Sequence, residues 1–452
     1  MRALILHFKI MIMKVLKFGG TSVGSVENMS NVKQIINDGS KKVVVLSAMS
    51  GTTNKLVSIA QDIQAGNSKS AVGKIQALQD VYANTIDELL HDASLNTLVK
   101  TYVSGVFESL EDSANQAFSE TLENQILAQG ELLSTYMFNS YLKQEGVRST
   151  LLPALSFMRI DAFKEPDIPY IKTHFETALD AAEASDIYIT QGFICLDNDD
   201  EISNLQRGGS DFTATIIGAA IKAEEVQIWT DIDGMHNNDP RYVEHTNAIS
   251  NLSFEEAAEL AYFGAKILHP QTVTPVRKDS IPVRLKNTMK PEAHGTLISD
   301  STSENGIKAI AAKDNITAIK IKSARMLQAH GFLKKVFEIF EAYKTSIDMI
   351  TTSEVAVSLT IDDDKHLDSI LQELEKIASI EVDTNQSIVC LVGQSVVNHK
   401  NTYKLFQILQ DVKIRMISYG GSNNNISLLI DSKDKISTLQ KLNDYVFDLV
   451  TV

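Results

Sequence analysis

Cysteine is nearly absent from this chain. Only Cys195 and Cys390 occur in 452 residues, far apart, which excludes a disulfide framework and a cysteine-rich metal site. Both stand in apolar surroundings and read as buried, reduced thiols. An excess of basic charge is also missing. Lys and Arg total 42 against 57 Asp and Glu, a formal net charge of −15, so a nucleic-acid partner is not expected. A small anionic substrate stays admissible, because a few local cations can reverse the field inside a cleft. The apolar run after Arg2 is interrupted by His7, Lys9 and Lys14 and has no small-residue cleavage site, so neither a signal peptide nor a membrane span is expected there. Met11 and Met13 are further candidate start positions beside Met1. Apolar residues make up 44% of the chain, enough to build the cores of two or three domains and to exclude global disorder. A cytoplasmic protein is the expectation.

The organising stretch is Lys17-Phe18-Gly19-Gly20-Thr21-Ser22-Val23-Gly24. An apolar strand over 10–16 precedes it, and a helix over 26–36 follows, with Ser25 as its cap. Strand, glycine pair, hydroxyls and helix form the layout of a phosphate cradle, in which backbone N–H groups approach phosphate oxygens and Lys17 adds a full charge. The order of residues fits neither a Walker loop nor a dinucleotide fingerprint. Taken alone, the stretch is equally an ordinary strand-to-helix turn.

Further apolar strands fall at 43–47, 149–152, 187–191, 226–229 and 283–285. A long helical region spans 56–141, with breaks expected near Gly66 and Gly105. Alternation of this kind predicts an α/β fold with a parallel or mixed sheet covered on both faces. A polar, loop-like stretch over 290–306 reads as a linker. Beyond it the order strand, helix, strand, strand, helix, strand occurs from 318 to 382, with strands at 346–350, 355–361 and 380–382. A similar order starts again at 388. This is a repeat of ferredoxin-like βαββαβ units. The second copy lacks a convincing last strand, since 449–452 is short. A spare strand at 307–312 precedes the first copy, so the first copy is expected to be inserted within the second.

Several later motifs carry chemistry. Arg207-Gly208-Gly209-Ser210-Asp211 opens a helix over 212–223, and Arg207 suits bidentate binding of a carboxylate. Ser and Asp there would cap a helix in any case. Trp229-Thr230-Asp231 ends a strand and runs into a polar loop through His236 to Asp239-Pro240-Arg241, a candidate nucleotide wall or merely a set of turns. Phe263-Gly264-Ala265-Lys266 follows a helix over 254–261, and Lys266 is a candidate phosphate ligand.

These five motifs, in this order from about residue 14 to the C-terminus, together resemble aspartate kinase. The match is to the monofunctional, lysine-sensitive class, since Met326-Leu327, Gly331-Phe332-Leu333 and Ile350-Thr351-Thr352-Ser353-Glu354-Val355 also fit. The resemblance implies an amino-acid-kinase sandwich with a mostly parallel central sheet over 1–298 and a regulatory region over 299–452. In that region a first ACT domain, about 315–385, would be inserted in a second formed by about 307–313 and 386–452. No fused homoserine dehydrogenase is expected in these residues.

The implied activity is ATP-dependent phosphorylation of the L-aspartate side-chain carboxylate, a first step toward lysine, threonine and methionine, with Mg²⁺ accompanying the ATP. By resemblance, Lys17, Gly19, Gly20 and Asp211 are catalytic. Ser47, Thr53, Glu131, Arg207 and Ser210 would bind aspartate. Thr21, Ser22, Thr230, Asp231, His236, Arg241 and Lys266 would bind nucleotide. Met326, Phe332, Leu333, Ser346, Ile347, Asp348, Ser353, Glu354 and Val355 would hold a lysine effector between two chains, giving a homodimer through the ACT domains or a tetramer built from it. No metal-ligating protein cluster is expected. The family's usual Leu-Gly before the arginine is Leu205-Gln206 here, a frequent tyrosine is His236, and a serine of the effector loop is Ala329. Two alternatives remain at this stage: a kinase of the same fold acting on glutamate or N-acetylglutamate, and a catalytically silent amino-acid sensor.

Overall fold

The computed structural model describes residues 13–205, 208–264, 268–300, 306–323, 330–398 and 402–448. Contacts divide the chain into two compact units. One comprises the described parts of Met1–Gly234 and Leu268–Asp300, the other those of Met235–Ile267 and Ser301–Val452.

The first unit begins with β1 (Lys14–Phe18), α1 (Val26–Ile36) and β2 (Lys42–Leu46), followed by four helices. These are α2 (Thr52–Gln64), α3 (Ser68–Leu89), α4 (Ala93–Ser113) and α5 (Glu120–Gln144). It continues through β3 (Ser149–Leu151), α6 (Ile168–Ala181), β4 (Ile187–Gln191) and the hairpin of β5 (Ile194–Leu196) and β6 (Ile202–Asn204). Then come α7 (Gly209–Ile221) and β7 (Val226–Thr230). After the second unit's β8 (Asn251–Ser253) and α8 (Phe254–Tyr262), the first unit resumes with α9 (Thr274–Arg277), β9 (Val283–Asn287) and β10 (Thr296–Ser299).

Within this unit the strands run β3-β4-β2-β1-β7-β9-β10. All neighbours are parallel except β9 and β10. β2 and β4 are buried at every position, as strands covered on both faces must be. On one face, Leu16, Phe18, Val44 and Leu46 join a core with Tyr82, Phe107 and Phe138 from the long helices. Each such side chain contributes about 1.5–3 kcal/mol on burial. α5 is buried around most of its circumference in its C-terminal half, so its sequence lacks a clean polar stripe.

The helical region does not break at Gly105. That glycine lies inside α4, where an added Cβ would meet nothing within 4 Å, so a solvent-facing glycine costs the helix only about 1 kcal/mol. The breaks fall where caps stand. Asp92 accepts from the Leu95 N–H and opens α4, and Ser119 accepts from the Leu122 N–H and opens α5. The break near Gly66 is present.

The second unit adds β11 (Gly306–Lys322), α10 (Phe332–Ala342), β12 (Ile350–Thr352), β13 (Ala356–Ile361), α11 (Leu367–Glu375) and β14 (Ser379–Gln394). It ends with α12 (Thr402–Ile408), β15 (Ile414–Tyr419), β16 (Asn425–Asp431) and α13 (Lys435–Asn443). Its antiparallel sheet runs β12-β13-β11-β14-β16-β15. The expected short strands at 307–312 and from 318 are one long strand, β11, and those at 380–382 and 388–392 are likewise one, β14. The expected strand over 346–350 is displaced to β12, though the Asp348 N–H still donates to the Thr360 carbonyl. Residues 449–452, too short for a convincing last strand of the second copy, lie outside the described residues. Two hydrophobic cores flank the sheet. One packs around Ile319, Val336, Phe340 and Leu359, the other around Val389, Leu391, Leu428 and Leu439. No described helix is long and apolar enough to cross a membrane.

Candidate active site

Lys17 sits on the central strand β1, paired with Val45 on one side and Ile228 on the other. Alternation turns its side chain away from the face that carries Leu16 and Phe18. Its Nζ lies 2.6 Å from Asp211 Oδ1, and the two side chains are 10% and 17% exposed. Asp211 stands in the first turn of α7, which begins after Gly208 at φ 74°. The carboxylate thus has two favourable neighbours, the N-terminal end of α7 and the Lys17 ammonium.

The turn after β1 presses on the loop after β2. A Cβ on Gly20 would lie 2.9 Å from the Ala48 carbonyl oxygen. α5 approaches the same loop, since a Cβ on Gly130 would lie 2.8 Å from Ala48 Cβ. That approach places Glu131 against Ala48, whose N–H donates to Glu131 Oε1 at 3.1 Å. Glu131 is 3% exposed, and its Oε2 is buried without a hydrogen-bond partner. Burial pushes its carboxyl up to about 7, against the pull of the Ala48 N–H and the Lys17 charge.

Ser47 and Ser210 meet here, with the Ser47 hydroxyl donating to Ser210 Oγ at 2.9 Å. Thr53 is half-buried in the first turn of α2. The structure therefore brings Lys17, Asp211, Ser47, Ser210 and Glu131 around the two loops that follow β1 and β2. Arg207 lies outside the described residues, as do Lys266 and Met326.

Among the nucleotide candidates of this unit, Thr21 is exposed, while Ser22 is buried and shares a 2.7 Å hydrogen bond with Thr288. The Thr230 hydroxyl accepts from the Ile232 N–H, and Asp231 is exposed. His236 and Arg241 belong to the second unit. His236 Nδ1 lies 2.9 Å from Thr246 Oγ1. Arg241 grips Asp239 through Nε and Nη2. Burial opposes the charge on Asp239, but the guanidinium more than offsets it and holds the carboxyl below its ordinary range.

Among the effector candidates, Phe332 is buried at the start of α10, whereas Leu333, Ser346, Ser353, Glu354 and Val355 are exposed and Ile347 is half-buried. The Asp348 side chain is buried. It is bonded to Lys313 and to the Tyr262 hydroxyl, both at 2.7 Å. Burial raises its carboxyl, while those two bonds pull it back.

Sequence reasoning missed four residues that shape the site. The Ser134 hydroxyl donates to the Ser47 carbonyl, fixing the loop after β2. Gln191 donates to Thr135 and accepts from Ala154, pinning the end of β4. Gly192 admits Ser210, whose Cα would lie 2.8 Å from an added Cβ. Thr288 is the partner of Ser22. None carries a local motif, and their partners are mostly distant in sequence.

A parallel sheet with a glycine-lined cradle and a lysine–carboxylate pair at its strand ends defines the class. Residues 13–287 match the amino acid kinase family, and residues 389–445 match the ACT domain. The lysine-sensitive aspartokinase 3 of Escherichia coli is 34% identical over 448 residues, covering 96% of this chain and 99% of that protein. Two solved structures of E. coli aspartokinase III are each 33% identical and cover 96% of this chain. One, in complex with aspartate and ADP, has a TM-score of 0.83 and is covered completely. The other, in complex with lysine and aspartate, has a TM-score of 0.79 and is covered to 99%. The chain belongs to the aspartokinase family and is an aspartate kinase, a phosphotransferase with an amino-acid-kinase fold followed by two ACT units.

Proposed function

We propose that the Lys17–Asp211–Glu131 cluster is where the γ-phosphoryl of ATP passes to the side-chain carboxylate of L-aspartate, giving 4-phospho-L-aspartate and ADP. The observation that carries this reading is the convergence of a buried ammonium, a helix-terminal carboxylate and a buried, half-satisfied glutamate at two glycine-tight loops. The nucleophile is a carboxylate with an ordinary pKa of about 3.9, already ionised at neutral pH, so no general base is needed. The protein's work is to position the reactants and stabilise charge on the transferring group.

In this reading the Lys17 ammonium and the Gly19-Gly20 backbone hold the γ-phosphate. Arg207 takes the α-carboxylate of aspartate, and Glu131 with Asp211 takes its ammonium. Ser47, Thr53 and Ser210 complete the pocket by hydrogen bonding. Thr21, Ser22, Thr230, Asp231, His236, Arg241 and Lys266 serve the nucleotide. Among the described residues no three His, Cys, Asp or Glu side chains converge on a point, so the donor set suits Mg²⁺ carried by the nucleotide phosphates and water. The bound ion would neutralise charge developing on the phosphates.

A kinase module over 1–298 and a regulatory region over 299–452 belong to the same proposal. The inserted arrangement of the two ACT units is supported by β11 and β14. Their pairing over 318–322 serves the first unit and that over 306–316 the second, with a register shift between. The effector is lysine, held at Met326, Phe332, Leu333, Ser346, Ile347, Asp348, Ser353, Glu354 and Val355. It inhibits by binding one conformational state more tightly than the other. Chains pair as a homodimer through the edges of the ACT sheet, where Ile350 and Val355 are exposed on or beside β12, and a tetramer can build on that pair. Two buried thiols, with Cys195 pushed up to about 12 by burial, suit a reducing cytoplasm.

Lys17→Ala tests the reading. The expected result is a fall in kcat of about 100-fold or more with a much smaller change in aspartate KM, as for loss of a transition-state contact. An unchanged kcat would remove Lys17 from the transition state.

A further inference from the structure

In the second unit, Lys313 lies at a break in β11. The register with β14 shifts between Lys313 and Ile316, and Asn315 adopts φ 60°. At this break the Lys313 ammonium reaches 2.7 Å from Asp348 Oδ1 and 2.7 Å from Asp362 Oδ2. It also lies 4.4 Å from the centre of the Tyr262 ring. The Tyr262 hydroxyl donates to the same Asp348 oxygen at 2.7 Å, while Asp348 Oδ2 is buried with no hydrogen-bond partner. Two carboxylates and an aromatic face are what a primary ammonium ion requires. The chain has built such a pocket, with one acceptor to spare, and filled it with its own lysine.

We propose that Lys313 is the internal occupant of the ammonium pocket used by a cationic amino-acid effector, so that free lysine binds by displacing it. The proposal rests on the effector reading above and adds the residue that sets the effector's strength. The same displacement reaches the end of α8. Tyr262 is a wall of the pocket, and the next turn is packed against the residue beside Lys313: a Cβ on Gly264 would lie 2.1 Å from the Ala312 carbonyl oxygen. By sequence, that turn leads directly to Lys266. Loss of the Lys313 contacts therefore removes one ring contact between α8 and β11 and leaves the Lys308–Glu256 ion pair between the same elements. An effector that must first expel an internal competitor binds more weakly in proportion to the fraction of time the pocket is open. An open fraction of about 1–10% weakens its affinity about 100- to 10-fold.

The test is calorimetric titration of L-lysine into the full-length protein and its variants. Lys313→Met removes the competitor and is expected to tighten lysine binding by about 10-fold or more, with inhibition at correspondingly lower concentration. Lys313→Arg keeps the cation and is expected to stay within about 3-fold of the wild type, because Arg also satisfies both carboxylates. Where Lys313→Met does not fold, Lys313→Gln also removes the competing cation, leaves both carboxylates in place and is expected to show the same tightening. Equal or weaker lysine binding by the Met variant overturns this proposal alone. Lysine binding to none of the proteins overturns it together with the effector reading.

Discussion

Replacing Glu131 by Gln separates the cost of a buried charge from its use. Burial moves the Glu131 carboxyl from an ordinary 4.5 to about 7. The raised value means that the folded state favours the protonated acid. Stability from this group is therefore fully present below pH 4.5 and is lost as pH rises through 7. Those 2.5 units correspond to about 3 kcal/mol, withdrawn between roughly pH 4 and pH 8. Gln cannot ionise and escapes the withdrawal, whatever constant offset its amide introduces. The difference in unfolding free energy between Glu131→Gln and the wild type, measured by urea without ligands, should move by about 3 kcal/mol in the variant's favour from pH 4 to pH 8. The same group gives a functional readout. With its carboxyl raised to about 7, capture of the aspartate ammonium near neutral pH should expel part of a proton per site. Titration of aspartate in buffers of different ionisation enthalpy measures that release, and Glu131→Gln should abolish it while raising the aspartate KM. Parallel stability profiles together with no proton release in the wild type would refute the reasoning.

Two further outcomes follow from the geometry. Gly192→Ala drives a Cβ into Ser210 and should destabilise the protein by about 1–3 kcal/mol in denaturant unfolding, with a raised aspartate KM as Ser210 is pushed aside. Ile350→Lys with Val355→Lys places charge on and beside the exposed β12 edge and should convert the proposed dimer to a monomer in light scattering, and an unchanged dimer mass would exclude that edge as the interface.

The sequence made the framework legible where local signals are strong. The Ser25 cap and the apolar spacing after it placed α1 at its observed bounds, and the apolar run over 187–191 gave β4. Gly105 misled because glycine was weighed above Asp92 and Ser119, although both caps were present in the sequence. The continuity of β11 and β14 was hidden because each strand serves two hydrophobic cores and changes register between them. The cluster around the loops after β1 and β2 was legible at Lys17 and Ser210-Asp211, where motifs stand, whereas Glu131 was named only through the family resemblance. The site was not legible at Ser134, Gln191, Gly192 and Thr288. Those residues work through partners that only the folded sheet brings near, and Gly192 is needed for the space it leaves rather than for any group it carries. Lys313 was invisible for a related reason. A lone lysine in a strand usually reaches solvent, and nothing local shows that Asp348, Asp362 and Tyr262 close around it.

The most direct test is trapping of the acyl phosphate with hydroxylamine in the presence of MgATP. Aspartyl hydroxamate should form with L-aspartate, should not form with L-glutamate in its place, and should fall together with kcat in Lys17→Ala. Lysine binding without any hydroxamate from aspartate, or hydroxamate from glutamate alone, would contradict the assignment of this site to aspartate phosphorylation.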